Sequence, residues 1–202
     1  MSGVHLLGIS GSPKIGGFTN FLLDKALAGA KQSGAYTEKI VLNDLNFKPC
    51  QECGGCDKTG ICILDDDMKF VYESLARAGA VIIASPIYFG SVTAQLKAMI
   101  DRCNSLWMAK KKWGHPFSRD MLAMKNECPH FCKGVFLCVG GKDSKSYFEN
   151  AKSVIKIFFA TLNIEYSSDL FIGGLNTMPA DSPERNSALE KTFQLGDSLV
   201  RF

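Results

Sequence analysis

The chain has 202 residues, 46% of them hydrophobic and 21% charged, with a formal net charge of +3. That balance is ordinary for a globular protein, too apolar for a disordered chain, and too nearly neutral to argue for a nucleic-acid partner. Apolar runs fall short of the roughly 20 residues of a membrane span, and residues 1–8 carry no positively charged leader. With eight cysteines and no secretory leader, a cytoplasmic protein in a reducing interior is expected, away from any membrane.

Residues 4–9 form a short apolar run, read as a buried strand, that breaks into Ser10-Gly11-Ser12-Pro13. Thr19 is suited to cap the helix that follows, in which Leu22, Leu23, Ala26, Leu27 and Ala30 recur at helical spacing. Gly34 turns the chain toward a second strand at 40–42, and a cysteine-rich loop at 49–63 comes next. Asp65, Asp66 and Asp67 then place negative charge at the start of a helix whose Met68, Val71, Leu75 and Ala78 share one face. Residues 80–84 are apolar without interruption, as in a parallel strand covered on both sides. They run into Ser85-Pro86-Ile87-Tyr88-Phe89-Gly90, and a helix follows with Val92, Leu96, Met99 and Ile100 inward. A fourth strand at 134–139 closes on Gly140-Gly141; a helix at 145–161, a fifth strand at 164–172 and a last helix at 183–200 complete the order.

Five alternations of strand and helix predict one doubly wound α/β domain over 1–202, with a five-stranded parallel sheet. The stretch 105–133 is too long for a simple connection; a lid, an oligomer contact and a pocket wall all stay open for it. Within it, Lys110-Lys111-Lys112 is shorter than an interaction tail and reads as a solvated loop.

In open α/β sheets, ligands sit beyond the carboxyl ends of the strands, near the point where strand order reverses. Three turns after strands, 10–19, 85–90 and 139–141, are rich in small or polar residues and are expected to share one sheet edge. The first reads S-G-S-P-K-I-G-G-F-T. Ser10, Ser12 and Thr19 offer hydroxyls, Gly16 and Gly17 let backbone N–H groups point inward, and Lys14 adds charge beside a helix N-terminus. Gly17 and Phe18 stand where a triphosphate loop requires Lys and Ser/Thr, and the spacing of Gly8 and Gly11 does not make a dinucleotide fingerprint. A hydroxyl-rich turn suits a terminal phosphomonoester such as that of FMN; an ordinary Gly/Ser connection is the plain alternative. In the second turn, Tyr88 and Phe89 can stack on a flat heterocycle or serve as core. Their position at a strand's carboxyl end favours the heterocycle.

Gly11-Ser12-Pro13-Lys14, Gly17-Phe18-Thr19, the 85–90 turn, Gln95-Leu96-Lys97 and Asp101-Arg102 closely resemble the NADPH-dependent FMN reductase family, over residues 4 to about 103. The resemblance implies a flavodoxin-like, three-layer fold and a site for FMN. Ser10, Ser12, Pro13, Lys14, Gly17, Phe18 and Thr19 would surround its phosphate. Ser85, Pro86, Ile87, Tyr88, Phe89 and Gly90 would lie along its ring, and Gly140 and Gly141 would close the pyrimidine side. Many family members carry arginine where Lys14 stands; lysine keeps the charge but loses bidentate geometry. The family also implies homodimers or homotetramers that bury the flavin edge.

Cys50, Cys53, Cys56 and Cys62 are spaced C-x2-C-x2-C-x5-C, among Gly54, Gly55 and Gly60. Thiolates this close in sequence can converge on one inorganic centre. The spacing resembles that of the iron–sulfur flavoproteins within the same family, which implies a [4Fe–4S] cluster on these four residues. An empty loop is the main rival. Zinc usually takes two C-x2-C pairs separated by a longer loop, and a disulfide does not suit a reducing compartment. Of the other cysteines, Cys138 reads as core, and Cys128 and Cys132 around His130 offer three ligands with no evident fourth. His5 reads as a satisfied buried histidine and His115 as surface loop.

These readings point to an FMN-dependent oxidoreductase that passes electrons through FMN and a [4Fe–4S] cluster, with NAD(P)H or ferredoxin as donor. No side chain is required as general acid or base. An NAD(P)H-dependent flavin or quinone reductase without a cluster is the second reading. A non-catalytic redox carrier or sensor is the third.

Overall fold

Side chains along the inner strands alternate between two apolar layers. Leu6, Ala80, Ile82, Ala84, Val135 and Leu137 face one cluster with Leu22, Leu23, Ala26, Ala188 and Leu199. Leu7, Ile9, Val81, Ile83, Phe136 and Cys138 face a second, with Val71, Leu75, Leu96, Met99, Phe148, Ile155 and Phe159. A strand buried on both faces needs no polar positions, which explains the uninterrupted apolar runs. The computed structural model describes residues 3–117, 132–143, 145–175 and 177–201.

The strands β1 (His5–Ser10), β2 (Tyr36–Val41), β3 (Ala80–Pro86), β4 (Cys132–Val139) and β5 (Ile164–Ile172) are all parallel, in the order β2-β1-β3-β4-β5. The helices are α1 (Phe18–Gln32), α2 (Met68–Arg77), α3 (Ala94–Arg102), α4 (Asn104–Trp113), α5 (Lys145–Thr161) and α6 (Pro183–Leu199). This is the flavodoxin-like order, with its switch point between β1 and β3. Helices α1 and α6 cover one face, and α2, α3 and α5 cover the other.

Helices α1 and α6 meet at two glycines. A Cβ on Gly29 would stand 2.0 Å from the Phe193 carbonyl oxygen, and one on Gly196 would stand 1.9 Å from that of Ala26. Neither position has room for a side chain.

Several elements differ from the sequence reading. Helix α1 starts one residue before Thr19, with Gly17 at the N-cap and no side-chain cap; Thr19 is buried in the first turn instead. Strand β2 starts at Tyr36, since its edge position requires only Ile40 to be fully buried. The segment 105–133 is not irregular throughout: α4 occupies its beginning, and it ends in β4. Cys128 and His130 lie outside the described residues. The three lysines form the last turn of α4, where Lys110 Nζ donates to the carbonyls of Ala160 and Thr161 at the end of α5. Lysine at that place compensates a helix C-terminus. His5 is half-buried, with Nε2 3.0 Å from Glu38 Oε2.

Candidate cofactor-binding site

The first turn is organised before any ligand is considered. Ser10 Oγ accepts from the Ser12 N–H at 3.3 Å, and Ser12 Oγ accepts from the Lys14 N–H at 3.3 Å. The Lys14 carbonyl accepts from Gly17 N–H at 3.1 Å and from Asn20 Nδ2 at 3.0 Å. Ser10, Ser12 and Thr19 are buried, while Lys14 is exposed. At the start of α1 the Asn20 N–H bonds the Gly17 carbonyl at 2.9 Å, whereas the N–H groups of Phe18 and Thr19 have no carbonyl one turn back and suit an anion. Asn20 Oδ1 is buried without a partner among the described residues.

A second cation stands near this turn that sequence reading did not single out. The Arg185 guanidinium, from α6, lies 5.1 Å from the centroid of the Phe18 ring. Its signal was hidden because the two residues are joined only by the packing of α6 on α1.

The second turn is tied to the first. Gly11 N–H donates to the Ala84 carbonyl at 2.8 Å. Thr93, the N-cap of α3, donates through Oγ1 to the Gly11 carbonyl at 2.6 Å, and its N–H donates to Ser85 Oγ at 3.3 Å. In the sequence, a lone threonine before an apolar helix signals only a cap. Ile87 N–H donates to the Val139 carbonyl at 2.8 Å, and Gly140 N–H to that of Ile172 at 2.8 Å. These bonds set the 86–90 and 140–141 turns side by side.

The cleft they form has a volume of about 580 Å³ and is lined by Ile87, Phe89, Gly90, Gly140, Gly141, Lys142 and Tyr147. Phe89 is not core. It is fully exposed, at 109%, and its φ of 50° is in the left-handed region. An aromatic residue held there is strained, and such strain gathers at ligand sites. The donor set of the first turn fits a phosphomonoester, and the cleft with its exposed ring fits a flat heterocycle.

The four loop cysteines line one cavity of about 390 Å³, together with Gln51, Ile63, Leu64, Arg102, Asn104 and Met108. Cys50 and Cys53 are exposed; Cys56 and Cys62 are half-buried. Burial, with the charge of Asp57 next, pushes the Cys56 thiol up from its ordinary value. Among the described residues, no three Cys, His, Asp or Glu side chains are gathered closely enough for one metal ion. A single ion draws its ligands to within about 4 Å of each other, whereas a four-iron cluster seats each thiolate on a separate iron. The chemistry of the donor set, four thiols around one cavity, fits such a cluster.

The loop is fastened to α3 and α4. Gly60, at φ 66°, lies so near α4 that a Cβ would stand 2.7 Å from Ala109 Cα. Lys112 Nζ donates to the Lys58 carbonyl. Arg102, at the end of α3, is 2% exposed and forms a bidentate pair with Asp66. Burial pushes the Asp66 carboxyl up. The Arg102 hydrogen bond and the N–H groups of Lys48 and Met68 outweigh it and hold that carboxyl below its usual range. Burial pushes the Cys103 thiol up, and that of Cys138 to about 12, so both are inert core groups.

Residues 4–119 match the NADPH-dependent FMN reductase family. An iron–sulfur flavoprotein of Methanosarcina thermophila is 31% identical over 178 residues, covering 88% of this chain and 85% of that protein. An iron–sulfur flavoprotein of Methanocaldococcus jannaschii is 40% identical over 103 residues, covering 51% of this chain and 53% of that one. In fold, the chain is similar to an NAD(P)H:quinone oxidoreductase from Methanothermobacter marburgensis. The TM-score is 0.73 at 20% identity, over 100% of this chain and 98% of the other.

Proposed function

The chain belongs to the NADPH-dependent FMN reductase family, in its iron–sulfur flavoprotein subgroup, and from that premise we propose that it is an electron-transferring oxidoreductase carrying FMN and a [4Fe–4S] cluster. The observation that carries this reading is the pairing of two cavities in one chain. The turns after β3 and β4 border the first, and Cys50, Cys53, Cys56 and Cys62 line the second.

Ser10, Ser12, Pro13, Lys14, Gly17, Phe18 and Thr19 would hold the FMN phosphate through hydroxyls, first-turn N–H groups and one ammonium. Ser85 and Pro86 would fix the position of the ring turn, with Ile87, Tyr88, Phe89 and Gly90 against one edge of the ring and Gly140 and Gly141 against the other. FMN, when bound, supplies the conversion of two-electron to one-electron transfer. Lys142 and Tyr147 also line the cleft and are suited to orient a second reactant. The buried Thr93 keeps the phosphate and ring turns in register. No described side chain is assigned a proton transfer.

NAD(P)H or ferredoxin serves as donor, and ferredoxin or a quinone as acceptor, in a homodimer or homotetramer. Among the described residues no helix is long and apolar enough to cross a membrane. The cluster-free reductase is favoured by one observation, the aromatic lining of the cleft, where Phe89 and Tyr147 suit a flat reactant such as nicotinamide.

Protein purified without oxygen is expected to hold one FMN and about four iron atoms per chain. Iron-free yellow protein would end the cluster assignment, and colourless protein that takes up no FMN would end the flavin assignment. Oxidation of NADPH with a quinone, compared with oxidation of reduced ferredoxin, identifies the donor.

A further inference from the structure

Arg102 is the largest fully buried side chain of the described residues. Its Nη1 donates to the Lys48 carbonyl at 2.7 Å and to Asp66 Oδ2 at 2.6 Å, and its Nη2 donates to Asp66 Oδ1 at 3.0 Å. Nε has no partner among the described residues. A buried ion pair is weak evidence for stability, because desolvating both charges offsets most of their attraction. Its location is more telling. Arg102 lines the cysteine cavity, and its Nη2 also donates to Cys62 Sγ at 3.4 Å.

We propose that Arg102 is a positioning residue that sets the reduction potential of the group bound by Cys62, with Asp66 as its opposing counter-charge. The proposal rests on the cluster assignment made above. Adding one electron to a thiolate-bound cluster adds negative charge, and hydrogen bonds to the ligand sulfurs are one of the protein's main levers on potential. The guanidinium N–H therefore favours the reduced state. The Asp66 carboxylate, bonded to the same guanidinium, opposes it. Both act over a short path through a mostly buried pair, where solvent screens little.

The two residues consequently have opposite effects. Arg102→Met removes the donor and the positive charge and leaves Asp66 unpaired, so the potential falls. Asp66→Asn keeps an oxygen for the guanidinium to bond while removing the negative charge, so the potential rises. The expected change in each is about tenfold in the reduced-to-oxidised ratio at fixed potential, which for one electron is about 59 mV. Arg102→Lys, which keeps the charge and one donor, is expected to lie between Arg102→Met and the unaltered protein.

The experiment is an anaerobic redox titration followed by electron paramagnetic resonance on the purified holoprotein, with iron content and circular dichroism measured for each variant. Shifts of opposite sign support the proposal. Shifts of the same sign, or unmoved potentials at full iron content, overturn it, since a merely structural contact predicts one or the other. Should Arg102→Met fail to fold or load, Asp66→Asn decides alone: a rise supports the proposal, and no rise overturns it. Iron-free unaltered protein instead overturns the cluster assignment and, with it, this proposal; iron-loaded protein with unmoved potentials overturns the proposal only.

Discussion

The Thr93 hydroxyl donates to the Gly11 carbonyl at 2.6 Å, joining residues 82 positions apart, while the Thr93 N–H bonds Ser85 Oγ. One fully buried side chain thus couples the phosphate turn after β1 to the ring turn after β3. Thr93→Val keeps the shape but leaves the Gly11 carbonyl without this donor, and removes the N-cap acceptor that Leu96 N–H uses. The expected loss is about 1–3 kcal/mol of stability, read as a lower urea midpoint, together with weaker FMN binding. Thr93→Ser, which restores the hydroxyl, is expected to recover most of both.

The sequence made the sheet legible because strands buried on both faces write themselves as unbroken apolar runs, as at 80–84, and because turns at strand ends carry glycine and serine. The turns that meet at the cleft could be placed on one edge from topology alone. What joins them could not. Thr93 to Gly11, Arg185 on Phe18 and Arg102 to Cys62 are contacts between residues 40 or more positions apart, and no local spacing encodes them. The start of α1 differs for another reason: Thr19 looks like a cap, yet backbone bonds to the carbonyls of Lys14 and Gly17 close the first turn one residue earlier. Helix α4 is hard to see in the sequence because its lysine-rich end carries little apolar periodicity.

The α1–α6 contact has no slack. Gly196→Ala places a methyl against the Ala26 backbone, where only movement of a whole helix relieves the clash. Overpacking of this kind costs about 1–3 kcal/mol, sometimes more. The thermal midpoint is expected to fall, and the sheet's other face, seen by hydrogen exchange in α3 and α5, is expected to change less than α1.

Asp66 makes stability depend on acid. Its folded-state carboxyl titrates below the usual carboxylate range, and its unfolded value is near 3.9. The stabilisation is therefore complete above about pH 4–5 and is lost as pH falls through the folded value, because the unfolded chain takes up the proton first. The difference in urea midpoint between the protein and its Asp66→Asn variant is expected to narrow steadily below about pH 4. A difference that stays constant down to pH 3 would show that the carboxylate charge contributes nothing.

Phe89 sets stability against binding. Its φ of 50° and complete exposure mean that the folded chain gains no burial from the ring and carries left-handed strain. Phe89→Gly removes strain worth about 1–3 kcal/mol, offset in part by glycine's larger unfolded-state entropy. The apoprotein is expected to be unchanged or slightly more stable, while FMN binds more weakly for want of the ring contact. Equal FMN affinity would remove Phe89 from the site.

Lys14 separates charge from geometry at the phosphate turn. Its carbonyl and N–H are already bound within the turn, so changing the side chain leaves the loop's shape intact and tests the ammonium alone. A charge-assisted hydrogen bond contributes about 1.5–3 kcal/mol, so Lys14→Ala is expected to weaken FMN binding by about 10- to 100-fold, with riboflavin, which lacks the phosphate, unaffected. Lys14→Arg restores the charge and adds a planar fork that can bond two phosphate oxygens, so FMN is expected to bind at least as tightly as in the unaltered chain. Equal losses of FMN and riboflavin in Lys14→Ala would mean that the residue shapes the turn instead of meeting the phosphate.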